Sequence, residues 1–282
     1  MVFFFDRQHR YQGMKQYKIA LVQANIKLYD TENNVILICE KIRQAAACGA
    51  KLICFPEGSF AGYDGYHIDR IAEMAARRNG RYMRTVSALA AELGVFVLIP
   101  FFCKDDDGTR NCAFLIDDSG KTIASYTKTH LIGKEKDCLI AGDDLPVWDT
   151  PLGRIGCLIC YDVCFPETSR ILAQKGAQLL LVPAAWRGSS YFTRWWELNI
   201  PCRALDNLVY VAAVNRTGTC KDDVFAGRSM ICGPDGSVLS ECKGREKNII
   251  YADIDIDKVS EMRRSSTLLD DMRPDLYKRK EL

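Results

Sequence analysis

Short apolar segments recur along the chain between longer stretches in which apolar positions return every three or four residues. Tyr17–Ala24, Lys51–Phe55, Val95–Phe101 and Cys112–Asp117 are rich in Ile, Val, Leu and Phe and read as strands. Between them, Glu32–Cys48 sets Val35, Ile38, Cys39, Ile42 and Ala46 on one helical face and stops at Gly49, and Ile71–Leu93 reads as a second helix stopping at Gly94. A second series then repeats the first in kind. It runs strand Arg154–Cys160, helix Glu167–Lys175, strand Ala177–Pro183, a helical stretch Phe192–Asn207 that Pro201 should kink or split, and strand Leu208–Asn215. Gly227–Cys232 and Ser237–Cys242 flank the turn sequence Gly233-Pro234-Asp235-Gly236, and Asn248–Ile254 supplies a further strand. Strands that alternate with helices and finish in hairpins predict an α/β fold of mixed sheets, and two such sheets packed together leave the helices outside. Residues 1–15 lack this periodicity and are expected to be a flexible N-terminal extension, with residues 16–282 forming a single domain.

Composition narrows the function classes. Lys and Arg total 38 against 36 Asp and Glu, a net +2, so charge gives no case for nucleic acid or an acidic membrane as partner, and a small molecule fits better. The run Val2-Phe3-Phe4-Phe5 is broken by Asp6 and Arg7, short of a signal peptide, and no window approaches a membrane span, so a cytoplasmic protein is expected. Thirteen cysteines, an odd count scattered through apolar segments such as Leu52-Ile53-Cys54, suggest reduced packing residues in place of a disulfide framework.

Chemistry concentrates where strands end. In Gly153-Arg154-Ile155-Gly156-Cys157-Leu158-Ile159-Cys160-Tyr161-Asp162-Val163-Cys164-Phe165-Pro166-Glu167 an apolar strand ends at Cys160 and a helix begins near Pro166. That turn exposes its residue at a sheet edge, where the N–H groups of the helix start should favour thiolate, so Cys160 is a candidate nucleophile as well as a candidate buried thiol. Metal binding through Cys157, Cys160 and Cys164 is disfavoured because Cys157 and Cys160 have opposite parity in a strand. The thiol needs a base or a cation. His9 and His67 lie in the extension and a loop, whereas His130 is a conventional dyad partner that spacing leaves open. Glu57 after strand Lys51–Phe55 and Lys128 after strand Thr122–Tyr126 compete with it: singly each is an ordinary loop charge, yet three strand ends converge on one edge. Tyr63 and Trp186 also follow strand ends and are candidate pocket walls.

These segments resemble the nitrilase superfamily of carbon–nitrogen hydrolases. Its three signatures stand in order as Phe-Pro-Glu57, Lys128-Thr-His-Leu and Gly-Cys-Leu-Ile-Cys160-Tyr-Asp-Val-Cys-Phe-Pro-Glu, with further matches from Ile19-Ala-Leu-Val-Gln-Ala through Cys202-Arg-Ala-Leu-Asp-Asn207 and Phe225-Ala-Gly-Arg-Ser229 to Met272-Arg-Pro-Asp-Leu-Tyr277. The resemblance implies a four-layer αββα sandwich with two mixed sheets and helices on the outer faces. It implies a Glu57–Lys128–Cys160 triad with Glu135 as a second carboxylate, no metal or cofactor, and a homodimer. Leu139-Ile-Ala141 replaces the family's usual aromatic-Pro-Gly before Gly142, and Asp206 stands where Glu is usual.

The mechanism so implied has Glu57 as general base and Lys128, with the backbone N–H of Tyr161, at the oxyanion. Nitrile hydrolases of the family tend to carry Trp-Glu after the cysteine, whereas Tyr161-Asp162 resembles the amidases and carbamoylases. A small amide or N-carbamoyl compound is therefore the expected substrate. A nitrilase, an N-acyltransferase and a non-catalytic interaction protein on the same fold are the other readings.

Overall fold

The computed structural model describes residues 14–220 and 223–277. The expected N-terminal extension falls almost wholly outside them. Its last two residues are anchored, since Met14 N donates to Pro151 O at 2.7 Å and Lys15 O accepts from Ile256 N at 2.9 Å.

The first half of the chain runs β1 (Gln16–Gln23), α1 (Thr31–Ala47), β2 (Leu52–Cys54), α2 (Ile68–Glu73), α3 (Arg81–Leu93), β3 (Phe96–Asp105), β4 (Gly108–Ile116) and β5 (Thr122–Thr127). The next part runs α4 (Glu135–Cys138), β6 (Val147–Thr150), β7 (Gly153–Cys157), a 3-10 turn (Cys160–Cys164), α5 (Pro166–Gln174), β8 (Leu179–Ala184), α6 (Ser190–Asn207) and β9 (Tyr210–Asn215). A small hairpin of β10 (Thr219–Cys220) and β11 (Asp223–Val224), then β12 (Met230–Cys232), β13 (Val238–Glu241), β14 (Asn248–Asp255), α7 (Ile256–Ser265) and α8 (Pro274–Tyr277) complete it.

Two six-stranded mixed sheets result, in the orders β14-β1-β2-β3-β4-β5 and β13-β12-β9-β8-β7-β6. Each has three parallel strands, β1-β2-β3 and β7-β8-β9, flanked by antiparallel ones. The likeness of the two halves read from the sequence is therefore a likeness of topology.

Period two sorts the side chains into layers. Ile19, Leu21, Leu52 and Cys54 of one sheet meet Ile155, Cys157, Leu179 and Leu181 of the other in a core between the sheets. The alternate residues Ala20, Val22, Ile53 and Val97 face outward under α1 and α3, and Leu180, Val182, Val211 and Ala213 face outward against α6 and Leu172 of α5. The architecture is the four-layer αββα sandwich.

Three expectations need correction. The helix over Ile71–Leu93 is two helices, because β3 extends past β2 and its open edge recruits the intervening chain: Ala76 N donates to Phe102 O and Lys104 N to Ala76 O, both at 3.0 Å. Unpaired strand edges in a protein interior must find such partners. Pro201 does not split its helix; α6 runs unbroken over Ser190–Asn207, with Trp196, Ile200 and Ala204 packed beneath it to offset the forfeited hydrogen bond. The strand leading to Cys160 stops at Cys157, where its ladder to β8 ends.

Leu21 is fully buried between the sheets. Leu21→Ala should destabilise the fold by about 2–5 kcal/mol, read as a lower urea midpoint with an unchanged slope.

Candidate active site

Strand direction brings the candidate groups to one edge. β5 runs in the direction of β2 and β3 because two antiparallel reversals separate them, so Glu57 after β2 and Lys128 after β5 emerge together. Across the sandwich, Cys160 follows β7 and Ala185 follows β8, parallel neighbours ending side by side. Local chain geometry sharpens these ends. Gly58 takes φ +69°, and a Cβ there would lie 2.5 Å from the Gly62 carbonyl oxygen, so glycine permits the reversal right after Glu57. Gly142 N donates to Lys128 O at 2.9 Å, an approach a side chain would block, since its Cβ would fall 2.4 Å from Thr127 O.

Glu57, Lys128 and Glu135 are fully buried. Lys128 Nζ donates to Glu57 Oε1 at 2.9 Å and to Glu135 Oε1 at 2.8 Å. Asn111 Nδ2 donates to Glu57 Oε1 at 2.7 Å and Ala185 N to Glu57 Oε2 at 2.8 Å. Tyr63 Oη donates to Glu135 Oε1 at 3.0 Å and Ile132 N to Glu135 Oε2 at 3.0 Å. Each carboxylate thus takes one charged and two neutral donors, the provision that buried anions require. Burial works against the Lys128 ammonium, but Glu57 and Glu135 outweigh it and hold the amine well above the usual lysine range.

Cys160 opens the 3-10 turn with φ +49°, a left-handed conformation uncommon outside glycine. Its thiol is pushed well above the ordinary range, first by burial and then by Glu57, while Lys128 and the Ala185 N–H pull the other way without prevailing. Burial beside a carboxylate thus outweighs the thiolate-favouring N–H groups expected from the helix start.

His130 turns elsewhere, with Nδ1 at 2.9 Å from Thr129 Oγ1 and 3.0 Å from Asp162 Oδ1 and its ring stacked on Phe165 at 4.0 Å. Cys157 lies in the core between the sheets, whereas Cys164 packs on the outer layer, and both are free thiols.

Of the candidate pocket residues, Tyr63 is buried with Lys128 Nζ at 5.8 Å from its ring centre, and Trp186 is buried against Trp195 and Trp196. Tyr161 lines an open cavity of ≈ 500 Å³ with Thr129, His130, Lys136, Leu139 and Phe165. Sequence reasoning missed Asn111 and the Ala185 N–H. An Asn at the head of the apolar run Cys112–Ile116 of β4 was the available signal for the first; a backbone donor leaves none.

Residues 18–264 match the family described as carbon–nitrogen hydrolase. An omega-amidase of Homo sapiens is 34% identical over 276 residues, covering 94% of this chain and 98% of that protein. A probable nitrilase of Schizosaccharomyces pombe is 32% identical over 268 residues, covering 93% and 97%. Among solved structures, a mutant of the amidase from Nesterenkonia sp. AN1, showing covalent addition of the acetamide moiety of fluoroacetamide at the active-site cysteine, superposes with TM-score 0.82 at 29% identity over 94% of this chain and 97% of that one.

Lys128→Met would leave two buried carboxylates without their cation. It should destabilise the protein by about 3–5 kcal/mol in urea unfolding. The Lys128 pKa lies above its unfolded value of 10.5, so this contribution is fully present below that value and is lost only as pH rises through the higher folded one.

Proposed function

The chain belongs to the carbon–nitrogen hydrolase family, and on that premise we propose that it hydrolyses a small amide to ammonia and a carboxylic acid through a thioester on Cys160. The observation that carries this reading is the buried Lys128 ammonium held 2.9 Å from Glu57 in a site whose thiol feels both charges. The relatives' names, omega-amidase and amidase, point the same way.

A thiol whose pKa is pushed up by burial needs a base at the moment of attack, and Glu57 fills that role. As sulfur bonds to the carbonyl carbon, the Sγ proton passes to Glu57, and negative charge develops on the carbonyl oxygen near Lys128 and the Tyr161 N–H. Glu57 returns the proton to the nitrogen, the C–N bond breaks, and ammonia leaves. Glu57 then takes a proton from water, which adds to the thioester; collapse expels the sulfur, which is reprotonated, and the acid is released. Lys128, bridging Glu57 and Glu135, keeps its proton throughout and acts by charge. Tyr63 and Trp186 would shape the acyl pocket.

We read residues 16–282 as one hydrolase domain that pairs into a homodimer. Support comes from an apolar stripe on the outer face of α6, where Tyr191, Leu198 and Leu205, spaced by seven residues, are 67%, 54% and 50% exposed. The tail reaches the neighbouring helix, with Gln174 Nε2 of α5 at 3.3 Å from Met272 Sδ. A cytoplasmic location fits free thiols such as Cys54, Cys103 and Cys157, and among the described residues no helix is long and apolar enough to cross a membrane.

The test of the activity is ammonia release from an amide and a nitrile sharing one acyl skeleton, with Cys160→Ala as the blank. The amide should give the higher kcat/KM, and intact-mass spectra of the wild type with a slowly deacylating amide should show an acyl adduct on Cys160. A faster nitrile would remove the amidase assignment, and an adduct on Cys157 or Cys164 would remove the nucleophile.

The pairing has its own check. Sedimentation should give twice the 31.8 kDa chain mass, and Leu198→Glu with Leu205→Glu should halve it.

A further inference from the structure

Asp162 is fully buried, and its carboxylate gathers donors from two parts of the chain. Oδ1 accepts from Thr129 Oγ1 at 3.0 Å and from His130 N at 2.8 Å, and faces His130 Nδ1 at 3.0 Å. Oδ2 accepts from Tyr126 Oη at 2.8 Å and from Ile159 N at 2.9 Å. Tyr126, Thr129 and His130 bracket Lys128, whereas Ile159 immediately precedes Cys160. The first group belongs to one sheet and the second to the other. Burial, with Asp162 adding to it, pushes the Tyr126 phenol well above its ordinary range, so that hydroxyl stays a donor.

We propose that Asp162 is a positioning residue: its carboxylate ties the Lys128 segment to the Cys160 turn and so sets where the ammonium stands relative to the sulfur. This rests on the reading of Cys160 and Lys128 given above. The side chain that follows Tyr161 then bears on substrate choice through the spacing of two sheets, not through contact with substrate. A carboxylate suits the task because every group facing it can donate. Asn would retain one acceptor oxygen and turn an NH2 toward an N–H or a hydroxyl, leaving buried donors unpaired.

The experiment compares wild type with Asp162→Asn for kcat, KM, thermal unfolding, and the rate of Cys160 alkylation by iodoacetamide at one fixed pH. If Lys128 is released, kcat should fall on the order of a hundredfold with KM nearly unchanged. Alkylation should slow, because Glu57 and Glu135 continue to disfavour the thiolate while the opposing cation has moved away. A change of field alone has the opposite sign: removing a nearby anion would speed alkylation. Tyr126→Phe removes one donor to Asp162, along with the 3.1 Å contact between Tyr126 Oη and Thr129 Oγ1, while leaving the carboxylate in place; it should shift both readouts the same way by severalfold, which keeps the test open should Asp162→Asn fail to fold. Unchanged kcat, a loss confined to KM, or faster alkylation overturns the proposal. Should iodoacetamide fail to inactivate the wild type, the assignment of Cys160 falls, and the proposal with it.

Discussion

One buried ammonium shared by two buried carboxylates is the constraint that organises this molecule. An isolated charge in such a place would be neutralised or expelled, and a pair alone would leave the second carboxylate unmatched. The solution is a set of neutral donors drawn from distant parts of the chain: Asn111 within β4, Tyr63 in the loop after β2, and backbone N–H groups at Ile132 and Ala185. None of these donors works unless its strand or loop ends at the right level of the sandwich. The requirement that the charges be satisfied therefore fixes the depth of the whole edge.

The same constraint explains why two sheets are needed. Glu57, Lys128 and Glu135 come from the first half of the chain, while the thiol and the Ala185 N–H come from the second. Glu57 itself bridges them, taking Lys128 on one oxygen and Ala185 N on the other. Chemistry here is a property of the seam between the sheets. The core beneath, where Leu21, Cys54, Cys157 and Leu181 meet, keeps that seam in register.

The layers were legible because strand parity is a strong signal: the residues that alternate in Tyr17–Ala24 do face two different cores. Single strand ends were also legible, and with them Glu57, Lys128 and Cys160. Less visible were features decided by tertiary partners. The break between α2 and α3 depends on the open edge of β3, which no local propensity encodes. The state of the Cys160 thiol depends on desolvation and on Glu57, not on the helix start that its sequence neighbours advertise. Asp162 read as a marker of reaction type, and only the contacts from Tyr126, Thr129, His130 and Ile159 reveal a structural task for it.

The left-handed backbone at Cys160 carries a consequence for how such a chain changes over generations. A non-glycine residue at φ +49° costs roughly 1–2 kcal/mol that glycine would not. On the proposed mechanism, folding stability and turnover therefore pull this position in opposite directions. A lineage in which turnover ceased to matter would, on that mechanism, gain a sturdier fold by drift toward glycine at this position, at the cost of the sulfur.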